Sequence, residues 1–247
     1  MASSVHFLGV GDATCADGAH TAILYEGSQR ILVDCGPTVP QRCFRVLGDP
    51  DALDAIWITH QHADHCFGLP SLLLRMRLAG RKKPLEVLGG PGSSLWLRAG
   101  LELGYPGSFE PRKCYPITFS EVEPGLVIER PGVRLSTAQT QHRVRCHCLR
   151  IDDGPRSVCM SGDGKPTQAS MRLYQGADLV VHECEWASRV TEDHSNLLEL
   201  GPLFDAVSVG RVALVHCNDA ERADIAERLA REASGRAWLP QPGETWI

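Results

Sequence analysis

ITHQHADHCFGLP, residues 58–70, places His60, His62, Asp64 and His65 within six positions, although the chain has only 10 histidines in 247 residues. The run before it, LDAIWITH, is apolar and β-branched and reads as a buried strand. After it, Pro70 stands at a suitable first helical position, and SLLLRMRLAG has helical character with a glycine stop. The histidines therefore fall at the C-terminal end of a strand, where α/β architectures place ligand sites. A His-x-His pair followed by Asp-His can serve two metal ions a few ångströms apart, one pair for each.

A dinuclear site needs further ligands from elsewhere in the chain. His142 follows the strand-like VRLSTAQT, Asp163 follows RSVCMSG, and His216 follows RVALV. Each stands just past a β-branched or apolar run, the position already seen for His60. That recurrence carries more weight than any one residue.

The remainder of the sequence alternates in the same way. VHFLGVG, HTAILYE and RILVDCG read as strands, PQRCFRVLG as a short helix, PLEVLGG as a strand and GSSLWLRAGLELG as a helix. The second half repeats the theme: YPITFSEV, GLVIER, VRLSTAQT, CHCLRI and RSVCMSGD as strands, then TQASMRLYQ, SNLLELGPLFDAVS and DAERADIAERLAREASG as helices around the strands ADLVVHE and RVALVH. The last helix is expected to start on an Asn218 or Asp219 cap and to stop before Gly235. Two sheets packed face to face with helices outside satisfy both halves as one layered α/β domain over residues 1–247.

Composition narrows the function classes. At 43% hydrophobic and 22% charged the chain can bury a core and is not disordered. Its formal charge of −5 argues against a dedicated nucleic-acid binder but not against a small anionic substrate. No apolar run approaches the ~18 residues of a membrane span, and MASSVHFLGVGDA lacks the features of a signal peptide. Ten scattered cysteines without a CxxC pair suit a reducing, cytoplasmic setting. Cys146-His147-Cys148 is a short cluster with metal-binding residue types but no second pair, and its role stays open.

THQHADH resembles the signature of the metallo-β-lactamase fold superfamily. In order, FLGVGDA, ILVDCG, the stretch from DAIWITHQHADH to VLGGPG, QHRVRCHCLRI, SGD, ADLVVHECEW, HSN and LVHCND resemble segments of ribonuclease Z and its short phosphodiesterase-like relatives, from about residue 6 to about residue 220. The resemblance implies an αββα sandwich with two divalent metal ions at its edge. His60, His62 and His142 would hold one ion, Asp64, His65 and His216 the other, and Asp163 would bridge them. Oxygen and nitrogen donors without thiolate suit Zn²⁺, with Mn²⁺ or Fe as alternatives. The family pattern adds His194, assisting proton transfer and oriented by Glu183, with Asp64 as a second proton carrier. Asp34 is expected to orient ligand histidines. Such a centre activates a shared water and clamps the attacking and leaving oxygens. Relatives of this type also form homodimers.

The chain departs from tRNA-processing ribonuclease Z in several places. It runs from HRVRCHCLRI to SGD in a dozen residues, leaving no room there for the tRNA-gripping arm, and GDATCADGAHTA lacks basic loop residues. HECEW puts an extra carboxylate, Glu185, beside the site. The basic run Arg75, Arg77, Arg81, Lys82 and Lys83 reads first as a solvated helix face, and Arg143 and Arg145 follow a ligand candidate. The leading expectation is thus a dinuclear hydrolase of a small phosphodiester or cyclic nucleotide. Acyl hydrolysis of a lactone, β-lactam or thioester is the alternative. A tRNA 3′-processing endoribonuclease and a non-catalytic, metal-retaining binding module are the further ones.

Overall fold

A computed structural model describes residues 3–154, 156–231 and 235–247. Its first half contains strands β1 (Ser4–Gly9), β2 (Ala22–Glu26), β3 (Arg30–Val33), β4 (Ala55–Ile58), β5 (Leu85–Gly89) and β6 (Ile117–Glu121). Between them lie helices α1 (Pro40–Leu47), α2 (Ala63–Cys66), α3 (Leu69–Leu78) and α4 (Ser93–Gly104). The second half has β7 (Val127–Arg130), β8 (Val133–Gln139), β9 (His147–Asp153), β10 (Arg156–Met160), β11 (Leu179–Glu183) and β12 (Arg211–Val215), with α5 (Gln168–Tyr174), α6 (Leu197–Asp205) and α7 (Arg222–Ala230). Two short strands, β13 (Ala237–Trp238) and β14 (Thr245–Trp246), follow.

The strands form two seven-stranded sheets, ordered β14-β1-β2-β3-β4-β5-β6 and β13-β12-β11-β10-β9-β8-β7. In each, an antiparallel run passes into parallel strands at the middle, at β3–β4 and β10–β11. Alternate side chains explain the layering. Val5, Phe7, Ile23, Tyr25, Ile31, Val33 and Trp57 face Leu149, Ile151, Val158, Met160, Val181 and Val215 between the sheets. Their neighbours Leu24, Leu32, Ile56 and Ile58 turn outward under α1, α3 and α4. On the other sheet, Cys148, Cys159, Val180 and Leu214 turn outward under α5, α6 and α7. Strands covered on both faces carry near-continuous apolar sequences, and AIWI, fully buried, is such a case. The expected αββα sandwich is the observed fold.

Three expectations shift. The last helix begins at Arg222 and ends at Ala230, with Glu221 as its cap residue, while Asn218 closes the preceding turn by accepting from Ala220 N. The expected continuation through 232–234 lies outside the described residues. Strands β13 and β14, two residues each, escape a pattern-based reading. Part of the basic run is engaged by the fold: Arg81 is buried and donates to the carbonyls of Pro50, Leu53 and Pro84, Arg77 donates to Ser108 O, and Lys83 pairs with Asp54, while Arg75 and Lys82 stand exposed as expected. No helix among the described residues is long and apolar enough to cross a membrane. All ten cysteines are unpaired thiols.

One buried carboxylate ties the sheets together. Asp153, at the end of β9, accepts from Tyr25 Oη at 2.7 Å, Ser28 N at 2.9 Å and Ser28 Oγ at 2.6 Å. A side chain at Gly27 would collide with it, since an added Cβ would lie 2.1 Å from Asp153 Oδ2. Burial works against the charge, but the hydrogen bonds from Ser28 and Tyr25 prevail and hold the carboxyl below its usual value. A depressed carboxylate stabilises the fold above its unfolded pKa of ~3.9 and loses that contribution as pH falls through this region. Asp153→Ala is expected to lower the unfolding free energy by about 2 kcal/mol at neutral pH. In urea titrations the gap to wild type should narrow below about pH 4; a gap independent of pH would refute the ionic account.

Candidate metal centre

The site lies where the C-terminal ends of both sheets' parallel strands converge. β4 delivers Thr59 and His60. His62 then takes extended backbone (φ −63°, ψ 147°) as the residue before α2, which carries Asp64 and His65. His142 follows β8, Asp163 follows β10, and His216 follows β12. The backbone is bent hard at these exits: Asp34 and His216 are non-glycine residues in the left-handed region, with φ 63° and 55°. Left-handed backbone in such residues marks sites over-determined by their surroundings. His216 N is secured by Val10 O at 2.8 Å.

These exits bring all seven candidate ligands together. His60, His62, His142 and Asp163 form one group, and Asp64, His65, Asp163 and His216 another; within each group, one donor atom per residue lies within 4.8 Å of the others. Asp163 belongs to both. Its Oδ2 is 3.5 Å from His60 Nε2 and 3.4 Å from His216 Nε2, and its Oδ1 is 3.3 Å from His65 Nε2. Asp64 Oδ2 stands 3.1 Å from His65 Nε2 and 3.2 Å from His216 Nε2. His142 Nε2 approaches His62 Nδ1 at 3.3 Å.

Several of these atoms are buried without a hydrogen bond: His60 Nε2, His65 Nε2 and Asp163 Oδ1. Burying polar atoms unpaired is costly, and here they crowd a common space. Imidazoles and carboxylates in two groups of four are the donor set of a pair of divalent ions. The residues present therefore fit the metals. Burial and the neighbouring His65 charge drive His60 well below its ordinary pKa. Burial works against charge on His65 and His216 as well, but the carboxylates beside them prevail: Asp163 and Asp34 hold His65 well above its ordinary value, and Asp163 and Asp64 raise His216. Burial opposes ionisation of Asp163, yet His216, His65 and His60 around it hold its carboxyl well below the usual range.

An outer layer fixes these donors. Asp34 accepts from Thr59 N and Thr59 Oγ1, both at 2.8 Å, and its Oδ2 lies 2.8 Å from His65 Nδ1. One carboxylate thus orients a ligand ring and the strand end that presents His60, as expected for Asp34. Cys146 supplies a contact that sequence did not signal: its Sγ accepts from Asp163 N at 3.2 Å. The glycines flanking Asp163, Gly162 and Gly164, have φ 63° and 105° and make that bend.

Glu183 is buried and ties three loops, accepting from Ser195 N at 2.8 Å, Gly164 N at 3.0 Å and Glu185 N at 3.2 Å. His194 Nδ1 lies 3.6 Å from both Glu183 Oε1 and Glu185 Oε2. Burial disfavours the His194 charge, but Glu183, Asp163 and Glu185 outweigh it and raise the ring to about 9. Its ring stands 5.0 Å from that of His142 and 5.7 Å from that of His216, centroid to centroid. His182 turns the other way, packed edge-on against Tyr174 and Phe204 beneath α6. Cys146 and Cys148 join none of the metal-capable groups among the described residues.

The family model for anti-Pycsar protein Apyc1 matches residues 3–235. The chain belongs to that family. Within the metallo-β-lactamase superfamily it stands in the ribonuclease Z-like branch. Ribonuclease Z of Pseudomonas putida is 28% identical over 287 residues, covering 90% of this chain and 88% of its own. Among solved structures, the metallo-β-lactamase fold protein YhfI from Bacillus subtilis superposes with a TM-score of 0.85 at 22% identity, over 100% of both chains. The short form of human tRNase Z superposes with a TM-score of 0.79 at 19% identity, over 99% of this chain and 98% of that one. In this Apyc1-family chain one connection of the second sheet is short. β9 and β10 pair directly, Asp153 opposite Arg156, and only residues 154 and 155 separate them.

Replacing Asp34 tests the outer layer. Asp34→Ala is expected to weaken divalent-metal affinity by roughly 10–100-fold in competition with a chelator. Unchanged affinity would reduce Asp34 to a structural residue.

Proposed function

We propose that this metal-dependent, metallo-β-lactamase-fold hydrolase cleaves a small phosphodiester or cyclic nucleotide. The observation that carries this reading is the position of His194. It lies beside His142 and His216, within reach of two carboxylates, where a leaving oxygen needs a proton.

His60, His62 and His142 would hold one divalent ion, and Asp64, His65 and His216 a second, with Asp163 between them; Zn²⁺ suits the donors best. Bound ions of this kind supply charge neutralisation for a phosphoryl oxygen and a nucleophile at neutral pH. The chain does the rest. His194, held cationic by Glu183 and Glu185, donates its proton to the departing alkoxide. Glu183, fixed by three backbone N–H groups, keeps that ring aimed. Asp64, itself a ligand candidate, stands 3.1 Å from His65 and 3.2 Å from His216 and can accept a proton from the attacking water. The unpaired thiols suit a reducing compartment, and the cytoplasm is part of this reading.

The ribonuclease relatives favour a second reading, processing of RNA 3′ ends. The two-residue connection between β9 and β10 and the net charge of −5 weigh against it.

The test is turnover of bis(p-nitrophenyl) phosphate against a chromogenic β-lactam, a lactone and a tRNA precursor, with Zn²⁺ or Mn²⁺ supplied. Diester hydrolysis is expected, abolished by EDTA and restored by either metal. His194→Ala should lower the diester kcat by about 10²–10⁴-fold while metal content stays at the wild-type level. Turnover of the acyl substrates alone would overturn the reading, and preferential cleavage of the tRNA precursor would favour the second.

A further inference from the structure

Beside the metal-capable groups lies a cavity of about 280 Å³ that none of the chemistry above uses. Thr59, His60 and Gln61 form one wall, the turn Gly90-Pro91-Gly92 with Ser93 and Trp96 of α4 a second, and Val144, Arg145 and His147 a third. It shares His60 with the centre. Val144, Arg145 and His147 of its third wall follow His142 in the connection from β8 to β9.

Its lining is specific. Trp96 is half-buried and offers a broad ring. Arg145 is exposed and forms no ion pair among the described residues, unlike Arg143, which pairs with Asp193 at 3.3 Å. His147 is 2% exposed, yet its Nδ1 has no hydrogen-bond partner. The ring packs so closely on Gly90 that an added Cβ there would lie 1.7 Å from that nitrogen. The start of α4 is not an anion site, because Glu121 already accepts from Gly92 N and Ser94 N, and Gly90 O from Ser93 N. An aromatic platform and a guanidinium with no ion pair among the described residues, without a phosphate cradle, suit a planar heterocycle carrying hydrogen-bond acceptors. The volume lies at the lower end of the ~300–1,000 Å³ of ligand pockets, room for one such ring and not for a stacked series.

Resting on the phosphodiesterase reading, we infer that this cavity is the base pocket of a nucleotide substrate, with Trp96 stacking on the nucleobase, Arg145 reading its edge and the His147 ring closing the floor. The scissile phosphate then falls beside His60, toward Asp163, and His194 lies beyond it. These residues set which diester the centre accepts without touching the reacting atoms.

The experiment compares adenosine 3′,5′-cyclic monophosphate with the base-less methyl riboside 3′,5′-cyclic phosphate. Binding to the metal-loaded protein is followed by equilibrium dialysis under non-turnover conditions at low temperature, and hydrolysis is followed separately. Wild type is expected to bind the nucleotide at least tenfold more tightly than the base-less ester. Arg145→Ala, at an exposed and unpaired side chain, and Trp96→Ala should each cut that preference at least threefold, and Trp96→Phe should keep most of it. Equal affinity for the two ligands in wild type, or a preference that survives both alanine variants, overturns the inference. The outcomes separate the two readings. A base preference that depends on Trp96 and Arg145 without hydrolysis of either ester supports the pocket and sinks the phosphodiesterase. Hydrolysis of both esters with equal KM supports the phosphodiesterase and sinks the pocket.

Discussion

Asp163 is a fully buried carboxylate with three imidazoles drawn around its two oxygens. A charge so placed would be intolerable in an apolar interior. It is tolerated because His60 and His65 come from one half of the chain, His216 and Asp163 from the other, and the sheets oppose their strand ends. Each half brings some of the donors, and neither brings a whole set. The geometry of the sandwich and the charge balance at its edge are one constraint.

The apolar layers serve that constraint by making the edge rigid. Trp57 is buried between the sheets and its Nε1 donates to His147 O at 3.3 Å, while His147 N donates to Thr59 O at 3.1 Å. The strand end bearing His60 is thereby locked to the loop bearing His142 and Arg145. Close packing transmits position well, so donors from β4 and β8 keep a fixed separation. Asp34 adds the same service within the first sheet, and Cys146 within the second. Buried, its thiol is pushed far above its ordinary pKa, so it stays protonated and acts as a soft acceptor for the Asp163 amide.

Much of this was legible from residue order. The β-branched runs preceding His60, Asp163 and His216 located strand ends, and strand ends located the site. The doubly buried strands advertised two covered faces, hence the layered architecture. Other features were not legible for physical reasons. The Cys146 contact depends on a left-handed Gly162, which no local pattern distinguishes from an ordinary turn. His182 and His194 look alike as residues, and only the register of β11 turns His182 outward, toward Phe204. The start of α7 slid from Asn218 to Glu221 because Asn218 is engaged in its own turn and by Asp12, whose Oδ2 takes its amide at 2.9 Å. The cavity by Trp96 is built from three separated segments and has no linear signature.

The short C-terminal strands have a consequence beyond completing the sheets. β14 lies along β1 and β13 along β12, so a tail of ten residues masks the outermost ribbon of both layers. Without it, β1 and β12 would offer bare main-chain donors and acceptors to any passing extended peptide, a template for intermolecular pairing. The aromatic weight of Trp238 and Trp246, both packed on the interior cluster, anchors a cover that two-residue ladders alone could not hold.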